Sequence, residues 1–259
     1  MTLLNKQVAD SGNKPGGELT VAIATQGCKL NQADSDVLAR QFAEAGYRIV
    51  DPGAGPQVFI LNTCTVTGTA DAKARRALRS ARRANPQALV VATGCYAQRA
   101  PADLEGLEAV SLVVGNFQKD KLVALVSTEL GSRGPSANPQ PVVESAIGFG
   151  VFENARFHRR FDKLNGFKGL RTRANIKIQE GCDQVCAYCI VPKVRGRERS
   201  IPAADLVEQI NRYTGEGFKE VVLTGTQLGT YGFDLPESSL VGLLRKILDE
   251  TTAWRLATT

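Results

Sequence analysis

Three apolar runs in the first hundred residues end alike: TVAIATQGC closes on Cys28, VFILNTC on Cys64 and ALVVATGC on Cys95. Each is short, rich in β-branched residues and without polar alternation, the pattern of a strand buried on both faces of a parallel sheet. Helical patterns or turns follow. NQADSDVLARQFAEAGY sets Val37, Leu38, Phe42 and Ala45 on one stripe and stops at Gly46. The arginine-rich helix after Cys64 runs to Asn85-Pro86, where proline ends it. A fourth strand, VSLVVGN, and a helix, KDKLVALVSTEL, complete an open α/β domain over about residues 18–130. In such sheets ligands bind beyond the carboxyl ends of the strands, which is where all three cysteines fall. Cys28, Cys64 and Cys95 are therefore expected to converge on one point. Three buried core cysteines are the plainer alternative.

The segment after this domain, residues 131–170, reads as a linker: GSRGPSANPQP is proline-containing and polar. Its second part mixes Phe152, Phe157, Phe161 and Phe167 with cations, seven Lys or Arg from Arg156 to Arg173 against one acid, Asp162. Rings interleaved with cations suit RNA, and equally suit a linker packed on the next domain. A second basic concentration, Lys73, Arg75, Arg76, Arg79, Arg82 and Arg83, lies on the helix after Cys64. It can neutralise phosphates or be a solvated helix face. Net charge over the 259 residues is +6.

From Ala174 the alternation resumes, with NIKIQEGC, EVVLTG and WRLAT as strands and AADLVEQINRYTGEG and SLVGLLRKILDE as helices. At roughly 30 residues per βα unit, residues 171–259 hold two barrel units and the opening strand of a third. The expected architecture is thus α/β, an open parallel-sheet N-terminal domain followed by an incomplete (β/α) barrel whose remainder this chain is expected to lack.

The first twenty residues contain no apolar core of signal-peptide length, and nowhere do ~18 apolar residues run together, so a cytoplasmic protein away from membranes is expected. Cytosolic thiols are kept reduced, and six cysteines there point to metal or catalysis rather than a disulfide framework. Cys182, Cys186 and Cys189 form a second, tight triplet. Structural zinc wants four closed ligands, and the single histidine, His158, can serve one site at most. A 4Fe-4S cluster is usually held by four cysteines, so three leave one iron open to a substrate or cofactor.

The C-x3-C-x2-C spacing, with Tyr188 before the last cysteine on a loop after a barrel strand, resembles the radical S-adenosylmethionine superfamily. The resemblance implies that the methionyl amine and carboxylate chelate the open iron, and that one electron cleaves the sulfonium to a 5′-deoxyadenosyl radical. Tyr188 stands where that cofactor would dock, and VVLTGTQLGTYG, around Thr224 and Gly225, looks like the small-residue turn on which it rests. QGCKLNQADSD, NTCTVTGTADAKARRALR, NPQALVVATGCYAQ and KIQEGCDQVCAYCIVPKVRGRERS together resemble the tRNA methylthiotransferases, most of all the branch acting on N6-threonylcarbamoyladenosine.

That resemblance implies two 4Fe-4S clusters, an auxiliary one on Cys28, Cys64 and Cys95 and a radical one on Cys182, Cys186 and Cys189. It implies S-adenosyl-L-methionine as cofactor and methyl source, a tRNA substrate, and a flavodoxin- or ferredoxin-type electron donor. The C2–H of adenine at position 37 is strong and unactivated, so a radical is needed to replace it with sulfur. Arg195 and Arg199 match the RG…RS pattern after the cluster, where they contact cofactor or RNA phosphate or stand as solvated loop arginines. The remaining barrel units and a small RNA-binding β-barrel, which relatives carry, are expected to be missing. Isopentenyladenosine-37 of tRNA, an aspartate of a ribosomal protein, and a non-catalytic cluster-bearing remnant stay open as alternatives.

Overall fold

The computed structural model describes residues 19–132, 142–143, 173–253 and 255–259. The first sheet is built from β1 (Thr20–Thr25), β2 (Arg48–Ile49), β3 (Val58–Thr63), β4 (Leu89–Gly94), β5 (Leu112–Val114) and β6 (Val142–Val143). Its order is β2-β1-β3-β4-β5-β6, and every pairing is parallel. β6 falls within the stretch that reads as a linker.

Alternation along these strands explains their unbroken apolar sequence. Ala22, Phe59, Leu61, Val90 and Ala92 face one core, shared with Ala74 and Leu78 of α2 (Gly68–Ala84) and with the short helices α3 (Cys95–Arg99) and α4 (Pro101–Glu105). Val21, Val58, Ile60, Leu89 and Val91 face the other, packed by Leu38 and Phe42 of α1 (Lys29–Glu44) and by Leu122 and Val126 of α5 (Leu122–Ser132). With both faces covered, each strand must be apolar at every position. α2 starts where Thr67 Oγ1 accepts from the Ala70 N–H at 3.2 Å, and it ends before Pro86.

The second sheet has the order β11-β10-β7, from β7 (Arg173–Lys177), β10 (Glu220–Thr224) and β11 (Arg255–Thr258), again all parallel. Ala174, Ile176, Val221 and Leu223 pack under α7 (Ala203–Gly215) and α8 (Leu240–Glu250). A small antiparallel pair, β8 (Gln179–Glu180) with β9 (Arg199–Ser200), and α6 (Val191–Arg195) bracket the second cysteine triplet.

The two sheets meet through α1, which lies against β7, and through α3, which lies against α6. At the rim of this seam Arg40 forms a two-pronged pair with Glu216, at 2.9 and 2.8 Å, and stacks over the Tyr213 ring.

Candidate metal centres

β1, β3 and β4 are neighbours in the sheet, and Cys28, Cys64 and Cys95 leave their carboxyl ends in register, with Thr25 opposite Asn62 and Thr63 opposite Gly94. Cys28 is the residue from which α1 starts and Cys95 is the first residue of α3. The N-terminal end of the sixteen-residue helix α1 thus stands at this site. Gly27 lets the first of these loops approach: its φ is +102°, and a Cβ there would sit 2.5 Å from Cys64 Cβ and 2.9 Å from Cys64 Sγ. Burial pushes the Cys64 thiol up, the Val66 backbone N–H opposes this, and the nearby Cys95 and Cys28 thiols raise it further.

Behind this triplet lies a buried charge network that spans the seam. Asp34 of α1 accepts from Lys119 at 3.1 Å, from Lys177 of β7 at 2.8 Å and from Arg195 of α6 at 3.2 Å. Lys177 and Arg195 also reach Glu180, at 2.8 and 2.5 Å, and Arg195 bonds the Asn31 side chain. Burial works against the Arg195 charge, but Asp34 and Glu180, then Cys95 and Cys28, hold the guanidinium firmly protonated. Likewise burial opposes the Lys177 ammonium, yet Asp34 and Glu180 push it up to about 12. A fixed cation next to two thiols suits a group with net negative charge.

The second triplet sits on the loop after β8. Cys182 is buried, Cys189 half-buried and Cys186 exposed. The Cys182 N–H donates to the Gly196 carbonyl and the Cys189 N–H to the Cys186 carbonyl, both at 3.1 Å. Gln179 staples this loop to the turn after β10: its Oε1 accepts from the Thr226 and Gln227 N–H groups at 2.9 and 3.0 Å, and its Nε2 donates to Gly181 O at 3.0 Å. Gln227 returns to Cys182, whose thiol donates to its Oε1 at 3.5 Å. Gly225 packs tightly in this turn, where a Cβ would meet Leu228 Cδ2 at 2.8 Å. Thr224 is 2% exposed and closed off from solvent, whereas Tyr188 is 93% exposed.

Among the described residues no group of three or more His, Cys, Asp or Glu side chains is placed to hold a metal ion. Strand spacing accounts for this in the first triplet. Two steps of about 4.8 Å separate the ends of β1 and β4, a span that one ion with bonds of about 2.3 Å to sulfur does not bridge. A cluster several ångströms across, taking each thiolate on a different iron, fits that spacing and the donor set. The tight seat of Gly27 on Cys64 and the cation at Arg195 fit it as well. The second triplet offers the same donors on a loop anchored at both ends.

Residues 20–115, which hold the first triplet, match the family described as Uncharacterized protein family UPF0004. Over 216 residues the chain is 41% identical to the Threonylcarbamoyladenosine tRNA methylthiotransferase MtaB of Aquifex aeolicus, covering 83% of this chain and 50% of that protein. The Bacillus subtilis protein of the same name is 36% identical over 228 residues, covering 88% and 48%. Over most of its length the chain is related to these methylthiotransferases. It spans about half the length of the curated relatives it matches. A radical S-adenosylmethionine methyltransferase, TsrM from Kitasatospora setae, shares the fold with a TM-score of 0.58 at 17% identity, over 90% of this chain and 53% of that one.

In this methylthiotransferase relative the structure corrects one sequence reading. Arg195 is no solvated loop arginine: it is 3% exposed and fully engaged with Asp34, Glu180 and Asn31. Arg199 donates to the Arg195 carbonyl at 3.2 Å. Arg82 of the basic helix is likewise structural, donating to the carbonyls of Pro86, Ala88 and Ala109 and to Ser111 Oγ. Sequence reasoning missed Asp34, Lys119, Lys177, Glu180 and Gln179. Their one signal was Asn31, Asp34 and Ser35 at helical spacing, which looks the same whether that face meets solvent or another domain. The phenylalanines at 152, 157, 161 and 167, His158 and most of the cations from Arg156 to Arg173 lie outside the described residues. No helix among the described residues is long and apolar enough to cross a membrane.

Proposed function

We propose that this chain carries the two cluster sites of an enzyme adding a methylthio group to C2 of N6-threonylcarbamoyladenosine at position 37 of tRNA. Cys28, Cys64 and Cys95 hold an auxiliary 4Fe-4S cluster, and Cys182, Cys186 and Cys189 hold the cluster that binds S-adenosyl-L-methionine. When bound, these groups supply a carbon-centred radical, the sulfur and the methyl group. Tyr188 and Gly225 line the approach of S-adenosyl-L-methionine, and Thr224, closed off from solvent, supports the turn from beneath.

The observation that carries this reading is the arrival of three cysteines at the ends of three adjacent parallel strands, on the side facing the second triplet's domain. The chain's own residues have separable tasks. Gln179 and Gln227 fix Cys182 to the turn after β10, Arg195 neutralises the first site, and Asp34 keeps Arg195 in place. The substrate assignment draws on the names of the matched relatives; a flavodoxin- or ferredoxin-type electron donor and a cytoplasmic location are proposed beside it.

Anaerobic reconstitution with iron and sulfide tests the two-cluster part. About eight irons per chain are expected, and fewer than about six sink it. The substrate part is tested by tRNA from a strain lacking the gene, in which 2-methylthio-N6-threonylcarbamoyladenosine should disappear. Undiminished levels remove the assignment. Formation of 5′-deoxyadenosine from S-adenosyl-L-methionine separates an enzyme from a non-catalytic cluster protein.

A further inference from the structure

Asn116 opens the 3-10 turn that follows β5, Asn116–Lys121, and stands between the two cysteine sites. Its Nδ2 lies 2.8 Å from the Val194 carbonyl oxygen and 3.5 Å from Cys95 Sγ. A carbonyl only accepts, so the atom facing Val194 has to be nitrogen, and this contact fixes the orientation of the amide. The two hydrogens of one NH2 group are thus directed at a sulfur of the first triplet and at the backbone of α6. The opposite end of the same amide pays no attention to either: Oδ1 is buried with no partner, in a residue 7% exposed. Turning the amide over would set two oxygens face to face at Val194, so the orphaned acceptor is retained.

Val194 belongs to the helix directly after the second triplet, and its neighbour Arg195 reaches Glu180, just before Cys182. The segment carrying Cys182, Cys186 and Cys189 is therefore tied at its far end to Cys95 through a single side chain. We infer that Asn116 is a positioning residue coupling the two cysteine sites, one hydrogen tuning the cluster on Cys95 and the other holding α6 and the second triplet at a set distance. The inference rests on the cluster-binding reading above. An N–H···S bond favours the more negative, reduced state of an iron–thiolate cluster and so raises its reduction potential.

The test uses the full chain in a background with Cys182, Cys186 and Cys189 changed to alanine, so that only the first site is read. Protein with Asn116 and with Asn116→Leu is reconstituted anaerobically with ferrous iron and sulfide and titrated under electron paramagnetic resonance. A shift to lower potential at unchanged iron content is expected for Asn116→Leu. Equal potentials overturn the inference and leave the cluster reading intact, whereas a parent chain that takes up no iron overturns both. Asn116→Asp, which keeps the shape and loses the donors, should shift in the same direction. Should both variants fail to hold iron, pulsed resonance on the parent labelled with 15N-asparagine decides: a coupling to a side-chain nitrogen is expected, and its absence overturns the inference. In the iron-free chain, amides from 194 to 197 should exchange hydrogen faster in Asn116→Leu. Unchanged exchange overturns the tie to the second site.

Discussion

The guanidinium of Arg195 meets the carboxylate of Asp34 at 3.2 Å across the seam between the sheets, each side chain 3% exposed and the two 161 residues apart in sequence. Neither charge is tolerable alone at that depth, so each sheet supplies what the other lacks. Removing Asp34 leaves Lys119, Lys177 and Arg195 facing Glu180 alone. Asp34→Ala should cost about 3–5 kcal/mol in urea unfolding, the range for breaking a buried pair from one side. Glu216→Ala, which breaks the more open Arg40 clamp at the rim, should cost up to about 1 kcal/mol. Equal losses would show that the seam is not held by its buried charges.

The same carboxylate gives an acid dependence. Burial alone would raise the Asp34 carboxyl, but Lys119, Lys177 and Arg195 outweigh it and hold it well below the usual carboxylate range. With the folded value depressed, the unfolded chain takes up the proton first, at about pH 4. The contribution is therefore complete above about pH 4 and lost progressively as pH falls below it. The urea midpoint should fall more steeply between about pH 4 and about pH 2 in the parent than in Asp34→Asn. Parallel slopes would place the acid sensitivity elsewhere.

Two glycines separate backbone strain from steric exclusion. Gly46 has a φ of +92° with nothing within 4 Å of a Cβ, so Gly46→Ala should cost about 1–2 kcal/mol from conformation alone. Gly27→Ala adds a collision with Cys64 Cβ at 2.5 Å. It should cost more in thermal unfolding and should lower iron uptake at the first triplet, which Gly46→Ala leaves unchanged.

Iron counts discriminate between the triplets. Cys64→Ala and Cys186→Ala should each lower reconstituted iron by about four atoms per chain, and together abolish it. A loss confined to one of them would leave a single cluster and require another role for the other three thiols.

The outer face of α2 offers Lys73, Arg76, Arg79 and Arg83 to solvent. Reversing these four charges should weaken tRNA binding and flatten its salt dependence, by roughly one unit of logarithmic slope per lost phosphate contact. Arg82→Ala should instead destabilise the domain, since that side chain ties the end of α2 to the backbone around β4. Binding that is indifferent to all four changes would leave α2 a solvated face.

Most of the fold was legible in the sequence, because a strand buried on both sides has little choice but to be apolar throughout. β1, β3, β4, β7 and β10 lie where their β-branched runs place them, and α2 stops ahead of Pro86. Helix α1 was harder. Leu38 and Phe42 are buried as their spacing demands, but Ala45 is exposed and Asn31, Asp34 and Ser35 are not. Periodicity separates faces without saying which polar face meets water, and the partners of Asp34 lie 85, 143 and 161 residues away. Asn116 was invisible for a related reason: one asparagine at a strand end has no pattern until Cys95 and Val194 are brought to it.

Because Cys28, Cys64 and Cys95 follow neighbouring strands, the peptide hydrogen-bond ladder acts as the ruler that sets their separation. The crossovers between them, α1 and its return through β2 on one side and α2 on the other, contribute nothing to that measurement. The exposed face of α2 is free to change its charges while the three anchor points stay fixed, whereas α1 is held by Asp34 and Arg40 across the seam. The outer surface of α2 can thereby diverge without disturbing the spacing of the three thiols.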